Sequence, residues 1–210
     1  MPCKNENIRK KYEERNLKHD VPSAFRNDIT KCLEVLNSGG VILYPTDTVW
    51  GLGCDATNEA AVHRIYEIKQ RVDSKALITL VDSEDRLAGY VRNVPDVAWD
   101  VIELSDRPTT VIFDGARNLA PNLLAEDGSV AIRVTRETFS KELCFRFRRA
   151  IVSTSANISG EPTAQNFDEI VPEIRDAVDY IVQYRQKDKT RKQPSSIIKI
   201  GEKGEVKVIR

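Results

Sequence analysis

The sequence predicts an α/β domain built on one twisted, mixed, open sheet flanked by helices. Three observations carry this. Short β-branched and aromatic runs alternate with stretches of helical period early in the chain. The chain closes on a strand–turn–strand pattern, which adds an antiparallel pair to crossover-connected strands. After Val21 there is neither an internal repeat nor a linker-like shift in composition. One domain is therefore expected over residues 23–210, behind a charged arm at residues 1–22.

The elements follow in order. Ile29, Cys32, Leu33 and Leu36 fall at helical spacing, with Asn27 as the expected N-cap and Gly39 and Gly40 as the stop. Val41 to Tyr44 is a strand that ends abruptly at Pro45. A second helix covers Glu59 to Lys69, with Ala61, Ile65 and Ile68 on one face. Leu77 to Val81 reads as a buried strand, and Asp96 to Leu104 as a helix with Pro95 near its start. Thr109 to Phe113 and Val130 to Val134 are strands. Thr135 is placed to cap a helix carrying Phe139, Leu143 and Phe147. Ile151 to Ser153 is a short strand running into the turn-rich TSANISG. A further helical stretch leads to a strand at Tyr180 to Gln183, then a charged loop from Arg185 to Gln193. Ser196 to Ile200 and Val206 to Ile209, joined by GEKG, form the terminal hairpin.

The richest segment is GGVILYPTDTVWGLGCDA, Gly39 to Ala56. An apolar strand empties into Thr46, Asp47 and Thr48, followed by Gly51 and Gly53. Hydroxyls that donate, and glycines that let backbone come close, suit an anionic ligand at a strand end. GLGCDA formally fits the dinucleotide fingerprint G-x-G-x-x-A. However, the glycines neither follow the first strand directly nor open a helix, which argues against a Rossmann site. No G-x-x-x-x-G-K-[ST] occurs, so P-loop chemistry is excluded.

Other residues are open to two readings. Lys69, Gln70 and Arg71 close the second helix, where cations compensate its dipole, yet with Lys75 they could equally face a polyphosphate. Arg133, inside the apolar AIRVT strand, calls for either an ion-pair partner or an anionic ligand. Ser153, Thr154, Ser155 and Asn157 follow a strand end, as ordinary turn residues or as ligand contacts. A serine nucleophile is disfavoured: no G-x-S-x-G surrounds Ser155, and His19 and His63 leave little choice of base. Ser195 and Ser196 follow a basic loop that is a solvated turn or a lid.

Composition narrows the classes. Net charge is zero, from 32 basic and 32 acidic residues, so bulk charge favours neither nucleic acid nor membrane. Cys3, Cys32, Cys54 and Cys144 are far apart, without zinc or redox spacing, which predicts reduced thiols and no protein metal centre. No apolar leader or membrane-length run is present, and a cytoplasmic location is expected.

Taken in order, YPTDTVWGLGCDA, the K-x-R of Lys69 and Arg71, the strand-borne Arg133, STSANISG with its S-x-N of Ser155 and Asn157, and PSSII resemble the YrdC-like threonylcarbamoyl-AMP synthase family. The resemblance runs from about Asn27 to Arg210 and implies the family's single-domain form, with its twisted sheet around a large basic cavity. It implies a nucleotidyltransferase that joins L-threonine, bicarbonate and ATP into threonylcarbamoyl-AMP and pyrophosphate. The product would pass to the machinery that makes threonylcarbamoyladenosine at position 37 of tRNA.

By the same resemblance, Lys69, Arg71 and Lys75 meet the ATP phosphates and Ser155 and Asn157 the nucleotide. Thr48, Ser153 and Ser195 meet threonine, Thr110 and Arg210 meet nucleotide, and Arg133 lines the cavity. Lys69 and Arg71 carry the catalytic role, and Mg²⁺ travels with ATP on phosphates and water. Departures from the family pattern are Arg107 in place of a glycine, Val72 and Ala76 after the K-x-R, and the charged Arg185 to Gln193 loop. The alternative is an RNA-binding module of the same fold, holding tRNA or double-stranded RNA without adenylation.

Overall fold

The computed structural model describes residues 21–71, 77–201 and 203–210. A 3-10 turn, Ser23–Phe25, leads into α1 (Arg26–Asn37). Then come β1 (Ile42–Tyr44), β2 (Gly51–Gly53), α2 (Glu59–Ile68), β3 (Ile78–Val81), α3 (Leu87–Tyr90), α4 (Asp96–Leu104) and β4 (Thr109–Phe113). The chain continues through β5 (Val130–Val134), α5 (Thr138–Phe147), β6 (Ile151–Ser155), α6 (Pro172–Asp176), β7 (Tyr180–Ile181), β8 (Ser196–Ile200) and β9 (Val206–Val208).

The strands of the described residues form one nine-stranded sheet in the order β7-β1-β2-β6-β3-β5-β4-β8-β9. It is mixed, as expected. β1 with β7, β3 with β5 and β4 with β8 are parallel, while the remaining neighbours, including the β8–β9 hairpin, are antiparallel.

Alternation along the central strands separates the two faces of the sheet. Thr79, Val81, Val111, Phe113, Val130, Ile132 and Val152 point to one side and are all buried. On the other side, paired residues such as Ile78 with Ala131 and Ile112 with Ala131 are only partly covered at Ile78 and Ile112. α1 packs on α5, β1 and β7, and α5 packs on β3. Phe25, Phe139 and Tyr184 join ring to ring where these layers meet, with Phe25–Phe139 centroids 5.5 Å apart in an edge-on contact.

Several local expectations change. α1 begins at Arg26, one residue before Asn27, because buried Phe25 anchors the chain entry through the preceding 3-10 turn. Asp28 in the first turn is 4% exposed and accepts from the Tyr180 hydroxyl (2.6 Å) and the backbone N–H groups of Gln183 and Tyr184. It fixes the helix N-terminus to the end of β7. The cap of α5 is Glu137, whose Oε2 accepts from the Ser140 N–H at 2.7 Å. Thr135 instead shares a hydroxyl bond with Ser140 at 2.8 Å. α2 is capped by Asn58, whose side chain accepts from the Ala61 N–H. The helical stretch before β7 is the short α6, and β6 extends to Ser155. Cys32, Cys54 and Cys144 are free and buried, and burial pushes their thiols up, away from reactivity.

β2 was not foreseen. Its glycines are explained by packing: a Cβ on Gly53 would stand 2.6 Å from Tyr44 Cε1 and 3.0 Å from the Val152 carbonyl oxygen. The fully buried Tyr44 ring fills that space and its hydroxyl donates to Val152 at 3.3 Å. Gly53→Ala is therefore expected to cost about 1–3 kcal/mol of overpacking strain. Calorimetry should show a melting temperature several degrees lower; an unchanged one would mean that Tyr44 has room to move.

Candidate functional site

A cleft of about 400 Å³ opens on the partly covered face of the sheet. Strand register builds its floor. Ser153 pairs with Ile78, Ala131 with Ile78, Arg133 with Thr110, and Ile197 with Thr110, so these side chains share one face. The loop after β1 supplies Thr46, Thr48 and Val49. Arg71 enters from beyond α2, Thr163 and Gln165 from the segment after β6, and Pro194, Ser195 and Arg210 from the two ends of the terminal hairpin.

The hydroxyl wall is pre-set by a local turn. Thr46 Oγ1 donates to the Val49 carbonyl at 2.7 Å, accepts from the Thr48 N–H at 3.1 Å, and lies 3.1 Å from Thr48 Oγ1. Such a Thr-x-Thr turn is a short-range motif, available because Pro45 stops the strand. Across the cleft, Ser195 Oγ lies 2.9 Å from Thr110 Oγ1, and Arg210 Nε donates to the Ser195 carbonyl at 3.2 Å.

Arg133 is 3% exposed and its Nη2 lies 3.0 Å from Asp47 Oδ1, a pair joining β5 to the loop after β1. The contact is close in distance but not aligned as a hydrogen bond, and among the described residues Arg133 Nε has no hydrogen-bond partner. Both readings of this arginine are thus present at once: an ion pair, and a donor left on the wall of a cleft.

Lys69, expected at the ATP phosphates, closes α2 beside the turn after β6. It is 2% exposed, and its Nζ donates to the carbonyls of Ser155 (2.5 Å) and Asn157 (2.6 Å). Its own carbonyl accepts from Ser159 at 2.8 Å. The ammonium therefore staples the turn after β6 from behind the cleft wall. Burial first, and then the neighbouring Arg71 charge, bring the Lys69 pKa down to about 8. Burial also lowers Arg71. Asn157 Nδ2 donates to the carbonyls of Ile158 and Glu161, while its buried Oδ1 has no hydrogen-bond partner among the described residues.

Of the residues singled out in the sequence, Thr48, Arg71, Arg133, Ser153, Ser155, Ser195 and Arg210 line the cleft. Lys69, Thr110 and Asn157 are not part of its lining, and are joined to it by the hydrogen bonds described. Lys75, with Val72 and Ala76, lies outside the described residues, as does Cys3. Asp47, Thr163 and Gln165 received no role from the sequence. A lone arginine in an apolar strand signals an acidic partner, but only the fold selects Asp47. Thr163 and Gln165 sit in a stretch without periodicity, and nothing local marks them.

The mixed α/β sheet carries a cleft whose lining sets hydroxyls beside guanidiniums, a chemistry suited to anionic groups. The Sua5/YciO/YrdC family model, described as telomere recombination, matches residues 34–210, and the chain belongs to this family. It is 35% identical over 158 residues to a threonylcarbamoyl-AMP synthase of Stenotrophomonas maltophilia, covering 73% of this chain and 84% of that protein. It is 36% identical over 160 residues to the synthase of Pseudoalteromonas translucida, covering 75% and 86%. The fold matches E. coli YciO with a TM-score of 0.77 at 25% identity over 91% of each chain. It also matches P. abyssi Sua5 complexed with L-threonine, with a TM-score of 0.72 at 24% identity. That match covers 82% of this chain and 50% of Sua5, so the chain spans about half of that longer protein.

Among the described residues no helix is long and apolar enough to cross a membrane.

Proposed function

We propose that this chain is an L-threonylcarbamoyladenylate synthase, taking L-threonine, bicarbonate and ATP to threonylcarbamoyl-AMP and pyrophosphate. The observation that carries the proposal is a single cleft in which Thr48, Ser153 and Ser195 hydroxyls share walls with Arg71, Arg133 and Arg210, in a chain whose relatives are named for this reaction. The hydroxyls suit the ammonium and carboxylate of an amino acid, and guanidiniums suit phosphate oxygens.

The chemistry asks mainly for placement. The threonine amine attacks the carbon of bicarbonate, or of carbon dioxide derived from it, and loses a proton; with bicarbonate, water leaves. A carbamate oxygen then forms a bond to the α-phosphorus, and the bond from that phosphorus to the bridging oxygen breaks. Pyrophosphate departs with the electron pair. Two anions must be held together while charge grows on the phosphate, and fixed cations with aligned reactants supply this. In this reading Arg71 and Arg133, both on the cleft lining, neutralise that charge. Lys69 fixes the turn bearing Ser155. The groups on the cleft wall are hydroxyls, an amide and guanidiniums, a set suited to phosphate oxygens; Mg²⁺ is proposed to arrive with ATP, held by phosphates and water. The product would be used by a tRNA-modifying transferase.

Pyrophosphate release from purified protein is expected only when all three substrates are present. Absence of turnover under those conditions would sink the proposal. Arg71→Ala should lower kcat/KM about tenfold or more, since a charge-assisted contact is worth roughly 1.5–3 kcal/mol. A wild-type rate would remove Arg71 from the site.

A further inference from the structure

We infer that Arg185, at the start of the charged loop, is a positioning residue for the amino-acid side of the cleft, clamping the Thr46–Thr48 turn to α5 and to the loop itself. The inference rests on the proposed function for its substrate, and on geometry for the clamp. Arg185 Nη1 donates to the Thr46 carbonyl at 3.2 Å and stands 3.4 Å from Glu137 Oε1. Its Nε and Nη2 donate to Asp188 Oδ2 at 3.0 and 2.9 Å. One guanidinium thus joins three segments far apart in sequence, and its side chain is only 18% exposed.

Each anchor is itself held. Glu137 uses its other oxygen to cap α5, accepting from the Ser140 N–H at 2.7 Å and hydroxyl at 2.8 Å. Asp188 Oδ1 accepts from the Thr190 N–H at 2.9 Å. Bonds from Thr190 and then Arg185 hold the Asp188 carboxyl down to about 2, so it is ionised at neutral pH. On the far side of the clamped carbonyl, Thr46 Oγ1 receives the Thr48 N–H and meets the Thr48 hydroxyl. A rigid fork on the Thr46 carbonyl therefore fixes where Thr48 Oγ1 stands in the cleft.

The backbone supports the same reading. Arg185 has φ 65°, in the left-handed region that favours glycine. A side chain kept in a conformation that glycine would adopt more cheaply is explained by what its guanidinium holds.

Arg185→Gly separates these roles, since it suits the backbone and removes the fork. Thermal unfolding should stay close to wild type. Hydrogen exchange of the amides at Thr48 and Val49 should accelerate at least about tenfold. In the three-substrate assay KM for threonine should rise about fivefold or more, with KM for ATP within about twofold of wild type. Arg185→Lys guards against a folding failure: one ammonium cannot reach Thr46 and Asp188 with the fork's geometry, so the same changes should appear. Unchanged exchange at Thr48 and Val49 in both variants would overturn the clamp, and this readout needs no turnover. Accelerated exchange with unchanged KM for threonine would overturn the positioning role. Failure of the wild-type assay would instead count against the proposed function.

Discussion

Asp47→Ala should be the most destabilising single change at the cleft. It strands Arg133, 3% exposed, without the carboxylate that stands 3.0 Å away. Breaking a buried ion pair from one side leaves an uncompensated charge and costs about 3–5 kcal/mol where water is excluded. Arg133 lies on a cleft that admits water, so about 2–4 kcal/mol is expected. Chemical denaturation should show the midpoint falling at unchanged slope. Asp47→Asn keeps an oxygen acceptor and should lose less. The freed guanidinium should make the alanine variant respond more strongly to added polyanion. Inorganic triphosphate or ATP should raise its melting temperature more than that of wild type, because ligands that bind only the folded state stabilise it. An unchanged midpoint would show that the pair contributes nothing to stability.

Lys69→Met should cut kcat/KM by about one to two decades, because the carbonyls of Ser155 and Asn157 lose a charged donor and the turn that carries Ser155 loosens. The pH dependence distinguishes this lysine from its neighbours. Its pKa in the fold is about 8, against an ordinary 10.5. Between those values the unfolded chain holds the proton that the folded chain has released. This group's contribution to stability therefore rises with pH across that window and is lost as pH falls through about 8. Ligand affinity runs the opposite way: once Lys69 is neutral, the staple and its positive charge weaken together. ATP binding measured by calorimetry should weaken on the alkaline side of about pH 8. In Lys69→Met that inflection should disappear. An alkaline limb that persists in the variant would assign it to another group.

Lys69 and Arg71 stand out in the chain because a helix ends there and cations cluster at its close. Their separation into a wall residue, Arg71, and a staple, Lys69, depends on the left-handed turn at Gln70 (φ 49°) that ends α2 and on β6 lying alongside. Arg133 was open to either of two readings as a lone charge in an apolar strand. Asp47 becomes its partner because β5 and the loop after β1 meet in space.

The mixed sheet, the order of most elements, the terminal hairpin and the hydroxyls at the strand end after Pro45 are legible in the chain. These follow from short-range causes: side-chain period, prolines and glycines that end elements, and residues that bond their own backbone. β2 escaped because three residues, two of them glycine, carry no strand period, and its pairing with β1 and β6 supplies the order instead. The α5 cap moved to Glu137 because the side chain two residues beyond Thr135 reaches the Ser140 N–H. Which face of the sheet is open, which carboxylate meets Arg133, and that Arg185 grips the Thr46 carbonyl from across the chain all depend on long-range packing. Those contacts join segments that share no local signal, and their energy exists only once the sheet brings them within a few ångströms of one another.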